Sequence, residues 1–354
     1  MRNLNQSKKC EKTNEIISQL SYKRAQELYG ERLPDIVQTR LDQELTSITK
    51  NDFSDLYLLS YNLVKRANED GEPVYTHGLV GASLVANMLG ITEINPLPPH
   101  WRCPKCHYSK FITDGSCEVG LYLQDNNCPK CGEPLIKDGH NIPSVVLLGR
   151  DGNKFPDIKI EVSERYHPVI LNNYGMTLLK KLEELTNVSY RQIPLDDSKT
   201  LSGFQYGGEF DDSDVSKDVF KLFKPKKFAD IVKLFGFCHG AGVWKDNMEL
   251  LIRDGKCGLD DAISVREDIL AYLEQKGVDL ELSVKVMEYV RKGKGIKKEV
   301  AELLKSKGVP EWFIESCNKI RYLCSRAHAL SSAMMAYRLA YYKVHYPEVY
   351  RLGY

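Results

Sequence analysis

Two short stretches decide how this chain is read: Trp101-Arg-Cys103-Pro-Lys-Cys106-His107 and Asn127-Cys128-Pro-Lys-Cys131-Gly132. Each is a Cys-x-x-Cys knuckle in which Pro and Lys form a tight turn and both sulfurs aim at one point. Two such knuckles separated by a short loop make a tetrahedral thiolate cage, and Zn²⁺ is the ion that fits it. Four thiolates leave no open coordination position, so the site is structural and does not activate water. It stabilises a ribbon, about 101–136, that is too small for a core of its own. His107, beside the first knuckle, reads as a surface residue.

On the N-terminal side, residues 1–13 are polar and read as a disordered lead, and a helical pattern runs from about Asn14 to Tyr29. Pro34 starts a second helix whose apolar positions Ile36, Val37, Leu41, Leu45 and Ile48 keep a helical period. A third helix, DLYLLSYNLVKRANEDG, ends at Glu69-Asp70-Gly71. A glycine-rich loop, Tyr75 to Ser83, leads into the helical SLVANMLG, and the link Asn95-Pro-Leu-Pro-Pro99 reaches the ribbon. Beyond the ribbon, Val145–Leu148 and Ile158–Val162 read as short strands, and from Asn172 onward the chain is mostly helical. The fold class is therefore α+β and mostly helical. The expected segments are a tail and lead helix (1–30), helices with the glycine loop (31–100), the ribbon (101–136), a small α+β remnant (137–190) and an all-helical domain (191–354).

Composition sets limits. The chain has 354 residues, 42% hydrophobic and 27% charged, with a net charge of +1. No global field draws it to nucleic acid or to a membrane, so any DNA affinity must come from a local patch. Of ten cysteines, four belong to the cage and the others show no paired spacing. There is no apolar signal core, and no apolar run approaches the roughly 20 residues of a membrane span. These features predict a reducing, cytoplasmic setting with no membrane partner.

Three further features bear on chemistry. Gly78-x-x-Gly81 precedes a helix, where small residues let amides and the helix dipole converge on a phosphate; the same pattern serves a plain turn before a packed helix. Asp157, Lys159 and Glu161 share one strand face, because side chains alternate along a strand. Two carboxylates there could hold two Mg²⁺ ions, but Lys159 stands between them and repels metal. The segment Arg291-Lys292-Gly-Lys294-Gly can bring cationic groups to a phosphate backbone, or form a solvated turn between helices. Between Lys319 and Pro347 the aromatic and Met positions fall at helical spacing and read as core.

Taken in order, several stretches between about residues 20 and 350 resemble the Gram-positive, PolC-type α subunit of replicative DNA polymerase III. They include LSYKRAQELYGERLPDIVQTRLDQEL, LVKRANEDGEPVYTHGLVGASLVANMLGITEINPLPPHWRCPKC, NNCPKCGEPLIKDGHNIP, KFPDI and IPLDDSKT. The series continues with FADIVKLFGFCHGAGVWKDNMELLIRDGKC, VREDILAYLEQKGVD, VMEYVRKGKG, VPEWFIESCNKIRYLCSRAHA and YRLAYYKVHYP. The resemblance implies a catalytic palm carrying the zinc ribbon, followed by helical fingers. It implies nucleotide or DNA contacts at Gly78, Gly81, Ser83, His239, Arg266, Arg291, Lys292, Lys294, Arg326 and His328. Trp244, Arg253 and Lys343 also stand where the family pattern has them.

The departures are as specific as the matches. The family holds two Mg²⁺ ions with three palm aspartates, two of them on a P-D-I-D strand. Here the first is Asp157, the second position is Lys159, and the third falls at Val169. A large block that the family carries between Ser163 and about His167 has no counterpart. In the phosphate loop, family S-R-G-S-V-G-S-S, the Arg and first loop Ser become His77 and Leu79. In the fingers, family A-H-A-A-A-Y becomes Ala327-His328-Ala-Leu-Ser-Ser332. The family's nuclease, oligonucleotide-binding, clamp-binding and duplex-binding regions find no counterpart either. The expectation is a polymerase relative that has lost nucleotide transfer, keeps structural Zn²⁺, and binds DNA weakly and without sequence preference. Mg²⁺ enters only under the alternative in which polymerisation survives through Glu161 or another carboxylate. In a third reading the chain is a protein-interaction module that competes for replisome partners.

Overall fold

The apolar spacing of the first seventy residues produces three successive helices, α1 (Arg2–Tyr29), α2 (Asp35–Lys50) and α3 (Ser54–Glu69). The computed structural model describes residues 2–149, 157–162, 174–204 and 214–353. Within it the chain divides into two units, Met1–Met176 and Thr177–Tyr354. The polar lead, expected to be disordered, is helical from Arg2. Lys, Glu and Gln cost a helix little, and a helix already held by its packed end extends at one hydrogen bond per residue.

After α3 the chain forms β1 (Val74–Gly78), a 3₁₀ turn (Leu79–Ala82) and α4 (Leu84–Met88). Half of the expected glycine loop is thus a strand, paired antiparallel with a later one. The ribbon supplies β2 (His100–Arg102), β3 (Ser109–Phe111) and β4 (Ile136–Asp138) in the order β3-β2-β4. The stretch expected as a strand at 145–148 is a helix, α5 (Ser144–Leu148). Pro143 sets an extended residue before it and Gly149, at φ 69°, stops it. A run of four apolar residues has no period that separates strand from helix, so these flanking residues decide. The strand expected at 158–162 is present as β5 (Ile158–Val162), with Gly78 opposite Ile158 and Val74 opposite Val162. Ile160 and Val162 pack with Val64, Ala67 and Val74, which turns the Asp157, Lys159 and Glu161 side outward.

Helix α6 (Tyr174–Thr186) spans the division, and the described residues of the second unit continue as helices: α7 (Ser198–Gly203), α8 (Asp214–Leu222), α9 (Phe228–Cys238), α10 (Glu249–Arg253), α11 (Arg266–Gln275), α12 (Leu280–Val290), α13 (Lys298–Ser306), α14 (Glu311–Lys319), α15 (Arg326–His345) and α16 (Pro347–Gly353). Helix α15 is buried over most of its length and packs against α7 and α9. A helix that is apolar all round belongs in a core. Its polar tips are satisfied inside, with the Tyr337 hydroxyl donating to the Asp197 carbonyl (3.1 Å) and the Tyr342 hydroxyl to the Val188 carbonyl (2.5 Å).

In the first unit Glu44 falls on the same face of α2 as Val37, Leu41 and Ile48 and is fully buried. Its carboxylate accepts from the Arg40 guanidinium (2.5 Å), the Ser83 hydroxyl (2.8 Å) and the amides of Leu84 and Val85 (both 3.0 Å). Arg40 in turn donates to the carbonyls of Ala82 (2.6 Å) and Ile142 (3.1 Å). One buried ion pair therefore fixes the 3₁₀ turn, the start of α4 and the approach to α5. Removing one partner of a buried pair leaves the other charge uncompensated. Glu44→Ala is expected to destabilise the first unit by about 3–5 kcal/mol. Ser83→Ala, which keeps the carboxylate and both amides, is expected to cost about 1 kcal/mol. Denaturant titration followed by a first-unit probe separates the two, and equal losses would refute the central role of Glu44.

Candidate metal centre and nucleic-acid interface

The four sulfurs of Cys103, Cys106, Cys128 and Cys131 lie within 4.8 Å of one another, with Cys103–Cys131 and Cys106–Cys128 both at 3.4 Å. Ligand bonds of about 2.3 Å to a tetrahedral ion put sulfurs roughly 3.8 Å apart, so the set fits such an ion. The two knuckles are built alike. Cys103 N donates to Tyr108 O (2.7 Å) and His107 N to Cys103 O (3.2 Å). Cys128 N donates to Glu133 O and Gly132 N to Cys128 O (both 2.8 Å). The residue after each second cysteine is left-handed, His107 at φ 58° and Gly132 at φ 77°. Burial works against the Cys103 thiolate, yet amide donation from Cys106 and Lys105 outweighs it and brings that thiol down to about 6. The Glu133 amide favours the Cys131 thiolate, but desolvation and the three neighbouring sulfurs push it up to about 12. Four crowded thiols cannot all ionise without a cation among them.

The ribbon is held by a buried chain of polar groups. His100, on the central strand β2, is fully buried and meets the Pro98 carbonyl through Nδ1 (2.8 Å) and the Tyr29 hydroxyl through Nε2 (3.0 Å). Asn95 donates to Tyr29 Oη (3.1 Å) and to Asp138 (2.9 Å). Burial lowers the His100 pKa, which favours the neutral ring. His107 is half-buried, with Gly30 facing it, where a Cβ would come within 3.2 Å of its own.

On the outward face of β5, Lys159 Nζ lies 3.9 Å from Asp157 Oδ2, both half-exposed. Glu161 is bonded to His77 Nε2 at 2.9 Å, and Tyr75 stacks on the His77 ring at 4.9 Å. One carboxylate beside an ammonium, and a second engaged by imidazole, do not make the oxygen-rich cluster that Mg²⁺ requires. Val169 lies outside the described residues, as does the stretch where the family block would be.

The glycine loop is also occupied from within. Its amides at Leu79 and Val80 donate to the Asp157 carbonyl (both 3.1 Å). Gly78, at φ 92°, would bring a Cβ to 2.9 Å from the Asp157 carboxylate. Gly81 is buried in the 3₁₀ turn, and Ser83 is spent on Glu44 and on capping Ala86 N (3.0 Å).

In the second unit one segment gathers most of the expected finger residues. Arg321 N donates to Ala241 O (2.8 Å), and Ala241 N donates to Tyr322 O (2.9 Å). Leu323 N donates to Arg291 O (3.3 Å), and Arg266 N donates to Cys324 O (3.0 Å). The segment then enters α15 at Arg326. His239, closing α9, and His328 face each other at 4.7 Å between rings. Arg266 is buried, with Nε 3.9 Å from Glu267. Arg326 sits 3.6 Å from Asp268, and its amide donates to Glu267 (2.8 Å). In the basic turn Arg291 and Lys292 reach Glu288 at 2.8 and 3.4 Å, while Lys294 lies over the Tyr289 ring at 5.9 Å. Lys292 and Lys294 are exposed. Of the other family-matched positions, Trp244 is buried against Phe237, Arg253 pairs with Glu249 (2.9 Å), and Lys343 lies over Tyr350 (5.8 Å).

The family model of the bacterial DNA polymerase III alpha NTPase domain matches residues 15–193, and that of the bacterial DNA polymerase III alpha subunit finger domain matches residues 175–308. The chain belongs to the bacterial DNA polymerase III α family. Its relatives include the PolC-type DNA polymerase III of Caldanaerobacter subterraneus, 33% identical over 97% of this chain and 34% of that protein. The PolC-type enzymes of Halalkalibacterium halodurans and Bacillus subtilis are 33% and 31% identical, each over 98% of this chain and 33% of the relative. The chain thus spans about a third of the length of these curated relatives. The Caldanaerobacter alignment runs over 480 positions against a chain of 354 residues, so the relative carries internal stretches that this polymerase III α relative lacks.

Sequence reasoning missed Glu44, Asp268 and the His77–Glu161 pair. A signal existed for Glu44, an acidic residue inside the apolar stripe of α2 and four residues after an arginine. The ribbon and the finger helices belong to separate units. Cys103→Ser, or removal of the metal by a chelator, is expected to raise hydrogen exchange across 100–138 while α9 to α15 keep their protection. Equal loss in both units would refute that separation.

Proposed function

We propose that this member of the polymerase III α family no longer transfers nucleotides, keeps a structural Zn²⁺ in its ribbon, and holds DNA weakly through its fingers. The observation that carries the first part is Lys159, an ammonium 3.9 Å from Asp157 where the family resemblance expects a second metal-binding carboxylate. Two-metal transfer needs carboxylates to neutralise both ions and to orient the attacking and leaving oxygens. The glycine loop supports the same reading, since its donors serve Asp157 and Glu44. Zinc is favoured over other ions because four thiolates in a closed tetrahedral set suit it. The free thiols of all described cysteines suit a reducing, cytoplasmic compartment, and no described helix is long and apolar enough to cross a membrane.

Template-directed primer extension with Mg²⁺ or Mn²⁺ is expected to give no product, and Lys159→Asp alone is expected to restore none, because Val169 replaces a further carboxylate. Extension by the unaltered chain would sink the reading. Freshly purified protein should carry one zinc per chain.

The DNA-binding part rests on the way Arg321–Cys324 ties the basic turn to His239 and to the start of α15. With Arg291, Lys292 and Lys294 as contacts, the log–log salt slope on duplex DNA should be about −2 to −3. Replacing Lys292 and Lys294 with Ala should flatten that slope and weaken binding alike on all sequences. Parent-like binding by this double variant would make the turn a solvated loop and favour the protein-interaction reading.

A further inference from the structure

Antiparallel pairing in the ribbon sets Trp101 of β2 directly opposite Lys110 of β3 on one side and Lys137 of β4 on the other. Directly paired residues point to the same face of a sheet. The neighbouring row, Phe111–His100–Asp138, faces inward, where His100 and Phe111 meet Tyr29. The Lys110–Trp101–Lys137 row is therefore the outer face. Trp101 is half-buried, and its indole N–H donates to the Gln124 carbonyl at 2.9 Å, which fixes the plane of the ring. Lys110, exposed, holds its ammonium 5.9 Å from the centre of that ring.

The same combination recurs at the knuckles. Tyr108 follows the first knuckle, and Lys130, exposed between Cys128 and Cys131, lies 5.8 Å over its ring. Lys137 is engaged by Asp125 at 2.8 Å, whereas the charges of Lys110 and Lys130 are directed at aromatic faces.

We infer that this outer face of the ribbon binds single-stranded DNA. Aromatic rings beside ammonium groups, with Trp101 held in place by Gln124, meet both groups an unpaired strand presents, a base to stack and a phosphate to neutralise. A duplex keeps its bases stacked on one another and offers only the phosphates. Stacking is indifferent to base identity, so the surface has no sequence preference. The inference is independent of the fingers reading, since it concerns other residues in the other unit.

The test uses the full chain as purified and a thymidine oligonucleotide carrying 5-iododeoxyuridine, with photocrosslinks mapped by peptide. Crosslinks are expected at Trp101 or Tyr108, and they should persist in the Lys292→Ala/Lys294→Ala protein. Lys110→Ala/Lys130→Ala, at two exposed positions, should reduce the steepness of the single-strand salt slope by about 1.4, near 0.7 for each lost contact. Trp101→Ala should weaken binding about tenfold and Trp101→Phe should recover most of that loss, with metal content unchanged in each. Crosslinks confined to 177–354, parent-like binding by the lysine variant, or no single-strand binding would overturn the proposal. Competition of the ribbon crosslink by duplex as effectively as by single strand would overturn its single-strand character.

Discussion

A single desolvated carboxylate organises the first unit. Glu44 sits in a stripe that should be apolar, and it is tolerated because Arg40 neutralises it and three donors from the Ser83–Val85 region saturate its oxygens. Such a pair adds little net stability over a well-packed apolar substitute, since desolvation offsets most of its attraction. What it confers is position. Amides at the start of α4, the Ala82 carbonyl and the Ile142 carbonyl are all directional groups, and only one arrangement of the chain satisfies them together. β1 follows α3 and runs into the same turn, so the register of the two-stranded sheet and the outward presentation of Asp157 inherit that arrangement.

The second unit solves a comparable problem with a strand-like segment. Arg321–Cys324 joins no sheet among the described residues, yet its backbone groups are taken by Ala241, Arg291 and Arg266, which draws three separate segments to one place. The acidic side chains behind them, Glu267 and Asp268, meet Arg266, Arg326 and Lys233. Opposing charges at Asp268 and amide donation from Ser264 and Val265 outweigh its burial and hold its carboxyl below the usual range. The charges at this junction are thus met locally, in keeping with a chain whose net charge is only +1.

Much of this was legible in the sequence where a physical rule acts over a few residues. The knuckle spacing gave the four-sulfur cluster, the 3.6-residue period gave α2 and α3, and alternation gave β5 with its outward Asp157, Lys159 and Glu161. Where the deciding partner is distant in sequence, local rules failed. Tyr75–Gly78 became a strand because Ile158–Val162 pairs with it, about eighty residues away, a contact that glycine content does not announce. Val145–Leu148 became a helix because Pro143 and Gly149 fix its ends. The lead helix follows from propagation out of a packed segment, which composition alone does not register. Glu44 was hidden because the α2 period was read from its apolar members, and its value depends on Ser83, thirty-nine positions on.

The glycine loop between β1 and α4 bears on how a sequence motif is kept. Gly78 leaves room for Asp157, Gly81 is buried in the 3₁₀ turn, and Ser83 bridges Glu44 to a helix N-terminus. Those three match the family motif, while the positions beside them are His77, bonded to Glu161, and Leu79, which is buried. Folding alone can therefore hold such a signature in place, because each of these residues has a structural duty that needs no ligand. A fingerprint held in this way reports on the scaffold, whatever the chemistry carried on it.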